Sequence, residues 1–426
     1  MLYTLARPIA RHVLGYYFRN IDITGLEHIP QEGPVILAAN HPTAFIEPCI
    51  MACFQHRRLN FLVRGSMFKN WLVSKLLNGL NILPIYRFKD GGYSKLKKNY
   101  TTFQACHRAL SAGKAIMILV EGRCIHEKRL RELRKGAARI ALGALAADPD
   151  LADVPIVPVG VNYTGAERIR SAVLIKCGQP ISTKTYFSSF HQQENQAIQQ
   201  LTQEIREGLS PLVIQIPQPE EDDLAEALFR LDRTNHKTDF VYGLTHTGKQ
   251  FVREVNIVKN LPLKSGIVKR YFHRLAQLGL EDPAVAGAYA PYLVRNSWGW
   301  LKTLLASFIL LWYFPLWIVG EYIGGTITRA IEYYAPIRFA VMGIATIVYF
   351  PLWFIGLNPF LMVYAILSMA FVQWAWKEWE AGKHWFSARM AWRQTPTERE
   401  RLEIMREAAM AESELVMPVS SEERNK

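Results

Sequence analysis

The chain has 426 residues, half of them hydrophobic and 12% aromatic. That length exceeds what one hydrophobic core usually holds, so one catalytic-sized domain with added segments is expected. With 20% charged residues, the chain is too polar to consist mainly of membrane spans and too apolar for an ordinary soluble domain. A net charge of +13 favours polyanionic partners; the apolar segments late in the chain select lipid, and no nucleic-acid recognition motif is present.

Residues 1–19 form an apolar stretch interrupted by Arg7 and Arg11, so no cleavable signal peptide is expected. They read as an amphipathic helix, lying either in a membrane interface or against the chain's own domain. From 20 to 216 the pattern is that of one α/β domain, a mixed sheet covered by helices. Strands are expected at 34–39, 60–63, 82–86, 115–120, 154–161 and 173–177, and helices at 68–80, 93–112, 136–147 and 192–209. The prolines and acids of 217–223 mark a linker. Residues 217–297 read as a helical accessory region, whose cations Arg230, Arg233, Lys237, Arg253, Lys259, Lys264, Lys269 and Arg270 suit a scaffold or a membrane-facing surface.

The segment 298–376 carries the membrane signal. Residues 303–320 are uncharged and amount to ~27 Å of helix, close to the ~30 Å hydrocarbon core. Residues 339–376, between Arg338 and Lys377, are also uncharged; as one helix they would run ~57 Å, so two passes turning at Gly356-Leu357-Asn358-Pro359 are expected. The tail from 377 to 426 reads as a charged helix with a disordered end. Cys49, Cys53, Cys106, Cys124 and Cys177 show neither pairing nor metal spacing, as suits a reducing compartment.

The chemistry-bearing segment is Asn40-His41-Pro42-Thr43-Ala44-Phe45-Ile46-Glu47. It follows an apolar strand, and α/β sheets place reacting groups at such strand ends. His41 therefore reads as a general base for a hydroxyl, and Glu47 as the carboxylate that orients its ring, with Glu47 just outside a helix over 48–54. For this segment alone, an ordinary turn with a surface histidine is the plainer alternative. Arg64, Arg87 and Arg123 all follow predicted strands and are candidate phosphate ligands.

Further along come Phe61-Leu62-Val63-Arg64-Gly65, Leu83-Pro84-Ile85-Tyr86-Arg87, Val120-Glu121-Gly122-Arg123, Arg134-Lys135-Gly136-Ala137-Ala138 and Val154-Pro155-Ile156-Val157-Pro158-Val159. In this order, over roughly residues 20–180, the succession resembles the glycerol-3-phosphate/lysophosphatidate acyltransferase family. The resemblance implies that His41 deprotonates an acceptor hydroxyl for attack on an acyl thioester, with Glu47 standing where the family usually has aspartate. It implies that Arg87 binds the acceptor phosphate, that Glu121 and Gly122 shape the acceptor site, and that Lys135 meets a phosphate. The implied co-substrate is acyl-CoA or acyl-carrier protein, the acceptor a phosphorylated glycerol or lysophospholipid, and no metal or other cofactor is needed. The chain departs from the pattern at Val120, commonly Pro, at Arg123-Cys124, commonly Thr-Arg, and by one extra residue between base and acid. Membrane placement follows, read as a bacterial inner membrane with the catalytic domain on the cytoplasmic side. A non-catalytic lipid-binding or scaffold protein that keeps the fold is the rival reading.

Overall fold

The computed structural model describes residues 2–86, 98–261, 266–287, 299–328, 330–355, 358–394 and 396–416. The chain forms two compact units. The first comprises Met1–Val213, Leu244–His246 and Gly320–Ile347, and the second Ile214–Gly243, Thr247–Val319 and Val348–Lys426.

The first unit is built on an eight-stranded mixed sheet. Its strands are β1 (Asn20–Thr24), β2 (Val35–Ala39), β3 (Leu59–Arg64), β4 (Ile82–Ile85), β5 (Ala115–Leu119), β6 (Ile156–Tyr163), β7 (Ala172–Cys177) and β8 (Gly243–Thr245), ordered β4-β3-β5-β2-β6-β7-β1-β8. The strands β4, β3, β5, β2 and β6 run parallel, while β7 is antiparallel to β6 and parallel to β1. All five residues of β2 are buried, as required of a strand covered on both faces. The helix Gly136–Ala147 buries Ala137, Ile140, Ala141, Ala144 and Leu145 on the sheet. The helix Glu194–Leu209 adds Ile198, Leu201 and Ile205 to the same core, at the spacing of one helical face.

Helix α1 (Leu2–Tyr17) belongs to this unit and buries Tyr3, Val13, Leu14, Tyr16 and Tyr17. Its Arg7 donates to the carbonyls of Cys53 and Gln55, at 3.2 and 2.5 Å, behind helix α2 (Ile46–Phe54). One face of α1 thus packs on the chain's own domain, while Leu5 is exposed.

The stretch 320–347 also packs into this unit. Arg338, a boundary charge of an apolar run in the sequence, is only 3% exposed. Its guanidinium meets Glu321 Oε1 at 2.5 Å, donates to the Glu167 carbonyl at 2.6 Å and to Tyr17 Oη at 3.2 Å, and lies over the Tyr334 ring. A buried cation is tolerable only when donors are used and charge is paired in this way. Ala335, Phe339 and Met342 bury the same helical stripe.

Among the described residues, Ile331–Tyr349 is the one helix long and apolar enough to cross a membrane; each of two bent pairs would count as a span only if taken together. The run 303–320 is not one continuous helix: Gly299–Leu311 and Phe314–Ile327 meet at 62°. The second pair, Pro359–Ala370 and Val372–Ser387, bends by 73°. The long apolar run does break where expected, the helix ending at Ile355 and restarting at Pro359 under an Asn358 cap; Gly356 and Leu357 lie outside the described residues, as do Tyr93 of the expected helix 93–112 and the tail end 417–426.

In the second unit, the accessory region is helical, with Asp222–Asn235, Lys249–Lys259 and Gly266–Gln277. Of the cations expected to form a scaffold or membrane-facing surface, Arg233 is buried and pairs with Glu254 at 2.8 Å, and the half-buried Arg253 pairs with Asp232 at 3.1 Å. Lys264 lies outside the described residues.

Candidate active site

The site is built at the carboxyl ends of β2 and β5, where parallel strands leave the sheet. Past the last residue of β2, the Asn40 side chain takes over the ladder. Its Nδ2 donates to the Val161 carbonyl at 2.9 Å and its Oδ1 accepts from the Val161 N–H at 2.7 Å. A primary amide can replace a peptide group in this way because it carries both a donor and an acceptor. On the other side, Val120 N–H donates to the Ala39 carbonyl at 2.9 Å. His41 thus leaves the sheet from a point fixed on both flanks.

The corner after β5 grips the histidine main chain. His41 N–H donates to Glu121 Oε2 at 2.9 Å, and Ile125 N–H donates to the His41 carbonyl at 3.3 Å. The corner needs Gly122, which stands at φ +71°, and a Cβ there would come within 2.9 Å of Arg134 Cγ. Glu121 is held in turn by Arg131, whose N–H donates to Oε1 at 2.9 Å and whose Nη2 donates to Oε2 at 2.7 Å. Arg131 Nη2 also reaches the Arg123 carbonyl at 2.6 Å, and the Arg131 carbonyl accepts from Arg206 at 2.7 Å. Glu121 is therefore the brace of the histidine loop, its carboxylate engaged by three protein donors.

Glu47 occupies a different setting. Helix α2 begins at Ile46, two residues earlier than expected, and Glu47 lies in its first turn. Pro48 is accommodated because first-turn residues have no intrahelical N–H partner to lose. Glu47 is fully buried, and its Oε1 accepts the Thr43 N–H at 2.6 Å, closing the loop on itself. No hydrogen bond joins Glu47 to the His41 ring: Glu47 Oε2 and His41 Nδ1 are both buried without a partner, as are Thr43 Oγ1 and Tyr163 Oη. Burial pushes the Glu47 carboxyl up to about 8. Burial first, and then the Arg131 guanidinium, push the His41 imidazole down to about 4. At neutral pH both are uncharged, so the histidine can take a proton and the acid can donate a hydrogen bond.

The remaining candidates are spread over the same end of the sheet. Arg64, at the end of β3, is exposed and stands in register with Ile85 of β4; Arg87, the expected phosphate ligand, lies outside the described residues. Arg123 and Lys135 are exposed, Lys135 immediately before the helix Gly136–Ala147. Sequence reasoning passed over Asn40, Thr43, Arg131 and Tyr163. Asn40 and Thr43 stood inside the quoted motif and carried a signal; Arg131 was one cation in a basic run, and Tyr163 a strand-end aromatic, and neither could be singled out.

Residues 20–162 match the family model described as Acyltransferase. The chain therefore carries an acyltransferase-family domain that contains this site. It is similar to glycerol-3-phosphate O-acyltransferase 1 of Saccharomyces cerevisiae, with 23% identity over 378 residues, covering 68% of this chain and 50% of that protein. An uncharacterised acyltransferase of Schizosaccharomyces pombe shares 20% identity over 361 residues, 64% of this chain and 53% of that protein. The chain thus spans about half the length of these curated relatives. Among solved structures, the 1-acyl-sn-glycerophosphate acyltransferase of Thermotoga maritima matches with a TM-score of 0.36 and 16% identity, over 48% of this chain and 78% of that one.

Proposed function

We propose that this chain is a membrane-associated O-acyltransferase that moves a fatty acyl group from a thioester, acyl-CoA or acyl-carrier protein, to the hydroxyl of glycerol 3-phosphate or lysophosphatidate. The observation that carries the reading is His41, uncharged and gripped through its main chain by Glu121 at the carboxyl end of the central strand. In the reaction, His41 accepts the acceptor's hydroxyl proton as the oxygen attacks the thioester carbonyl. The C–O bond forms, the C–S bond breaks, and the imidazolium returns its proton to the leaving thiolate. A thioester is already activated, so a base and an anion-binding pocket suffice.

Glu47, read from the sequence as the orienting acid, keeps its proton in this reading and turns its free oxygen to accept from the Nδ1–H of the imidazolium. Arg64, Arg87, Arg123 and Lys135 are the candidate phosphate ligands. A phosphate brought near Arg131 offsets its field at His41 and strengthens the base as the acceptor arrives. A cytoplasmic, reducing side for the catalytic domain suits five cysteines that are all unpaired, and the apolar helix Ile331–Tyr349 supports the membrane placement.

The test is acyl transfer by the full chain from acyl-CoA and from acyl-carrier protein to each acceptor, with His41→Ala beside it. Loss of a general base is expected to cost about 10²–10⁴-fold in rate. Equal product from both proteins would remove His41 from the mechanism, and no product with any donor and acceptor would favour the scaffold reading.

A further inference from the structure

Helix α3 (Trp71–Gly79) follows β3 through the turn Gly65–Lys69 and is properly started, Asn70 Oδ1 accepting from the Leu72 N–H at 2.9 Å. None of its nine residues is buried, although its sequence Trp-Leu-Val-Ser-Lys-Leu-Leu-Asn-Gly is mostly apolar. Trp71 is 70% exposed, Leu72 58% and Leu76 51%, and Met67, in the turn before it, 53%. A helix this short gains little from propensity alone, and so much open apolar surface on one element marks an interaction site.

Charge decides what kind of partner fits. Residues 48–89 contain no aspartate or glutamate, but they contain Arg57, Arg58, Arg64, Lys69, Lys75, Arg87 and Lys89. Arg57 is spent internally on the carbonyls of Pro30, Gly33 and Gly113. Lys69 and Lys75 are exposed beside the apolar residues. The surface continues onto α1: a Cβ at Gly79 would come within 2.9 Å of Leu2, Leu5 is 60% exposed, and Arg58 donates to Thr4 Oγ1 at 3.2 Å. Because β3 is parallel to β5 and β5 to β2, the turn carrying Met67 leaves the sheet at the end where His41 stands.

We propose that α3 is an interfacial docking surface for an anionic bilayer, with Met67, Trp71, Leu72 and Leu76 seated at the headgroup boundary and Lys69 and Lys75 on anionic headgroups. It deepens the functional reading above and rests on its premise that the substrates reside in the bilayer. The helix then holds the mouth of the site against the surface that supplies them.

The experiment uses the full chain carrying p-benzoylphenylalanine in place of the exposed Leu72, reconstituted into vesicles of phosphatidylcholine with phosphatidylglycerol or of phosphatidylcholine alone. Irradiation is expected to give adducts with lipid. Their yield is expected to fall several-fold in phosphatidylcholine alone and in a Lys69→Gln/Lys75→Gln background, each lysine near an anionic surface counting for a factor of about five. Adducts with a peptide of this chain or of a second copy, no adduct in either vesicle, or lipid adducts indifferent to both headgroup and lysines would each overturn the proposal. The readout needs no acyl transfer. An inactive protein that still labels lipid refutes the enzymatic reading alone, and an active one that does not refutes the docking surface alone.

Discussion

Glu121, two residues past β5, and Glu47, in the first turn of α2, are both buried carboxyl groups serving one histidine loop. Glu121 accepts three hydrogen bonds and faces the Arg131 guanidinium at 2.7 Å. Glu47 has one backbone donor and an oxygen with no partner, and burial pushes it up to about 8. Glu121 is an ion-paired brace, whereas at Glu47 burial is opposed by no such partner and the acid keeps its proton. Charge at the β5 corner fixes the histidine main chain, and the neutral pocket at α2 leaves the ring free to change protonation.

Substitutions can break or sharpen this contrast. The largest effect after loss of His41 is expected from Glu121→Gln, which removes the partner of a mostly buried arginine. The predicted cost is about 3 kcal/mol or more in denaturant unfolding and about a hundredfold in acyl-transfer rate. If Glu121→Gln were as stable and active as the parent protein, the brace would be ornamental.

Glu47→Gln should act the other way on stability. A carboxyl whose pKa rises from about 4.3 unfolded to about 8 folded stabilises the fold fully below pH ~4, and that contribution is lost as pH rises through 8. The amide removes the loss, so its advantage is nil near pH 4 and grows to roughly 3 kcal/mol at neutral pH, read as apparent Tm across a pH series. Activity at pH 7 is expected to stay within about tenfold of the parent, because an amide keeps the oxygen for the Thr43 N–H. A collapse as deep as that of His41→Ala would show that an ionised Glu47 is required.

The smallest shift concerns the pH profile of Arg131→Gln, a variant that breaks the same pair as Glu121→Gln and is expected to lose similar stability. Burial is the chief cause of the low His41 pKa and Arg131 the second. In Arg131→Gln the acid limb of kcat/KM is thus expected to move upward from about 4, by less than the gap to the ordinary histidine value of about 6.5. A limb that stays in place would assign it to another group.

Six of the eight strands, and the end of the sheet that carries the site, were legible in the sequence as apolar runs, most clearly β2 and, parallel to it, β5 and β6, all buried nearly throughout. The strand β1 was not, since Asn20 and Asp22 break its apolar pattern although both are buried. The three residues of β8 are too few to give a period. In the site, His41 and its carboxylates could be named from order and spacing, but which donor each carboxylate meets depends on side-chain packing across β2, β5 and α2. Arg338 shows the same limit: next to an apolar run a lone arginine reads as the end of a membrane helix, and only tertiary contacts reveal a buried one.

The strand β8 and the helix around Arg338 reach the first unit from far down the chain. Asn20 Nδ2 bonds Thr245 Oγ1 across 225 residues, and Tyr17 waits 321 residues for Arg338. During synthesis the β1 edge and Tyr17 at the end of α1 therefore emerge long before these partners, and an open strand edge is the condition in which strands pair with wrong neighbours. Both contacts come from residues far beyond the segment 20–162 that matches the family model, so that segment alone would leave the β1 edge and Tyr17 without them.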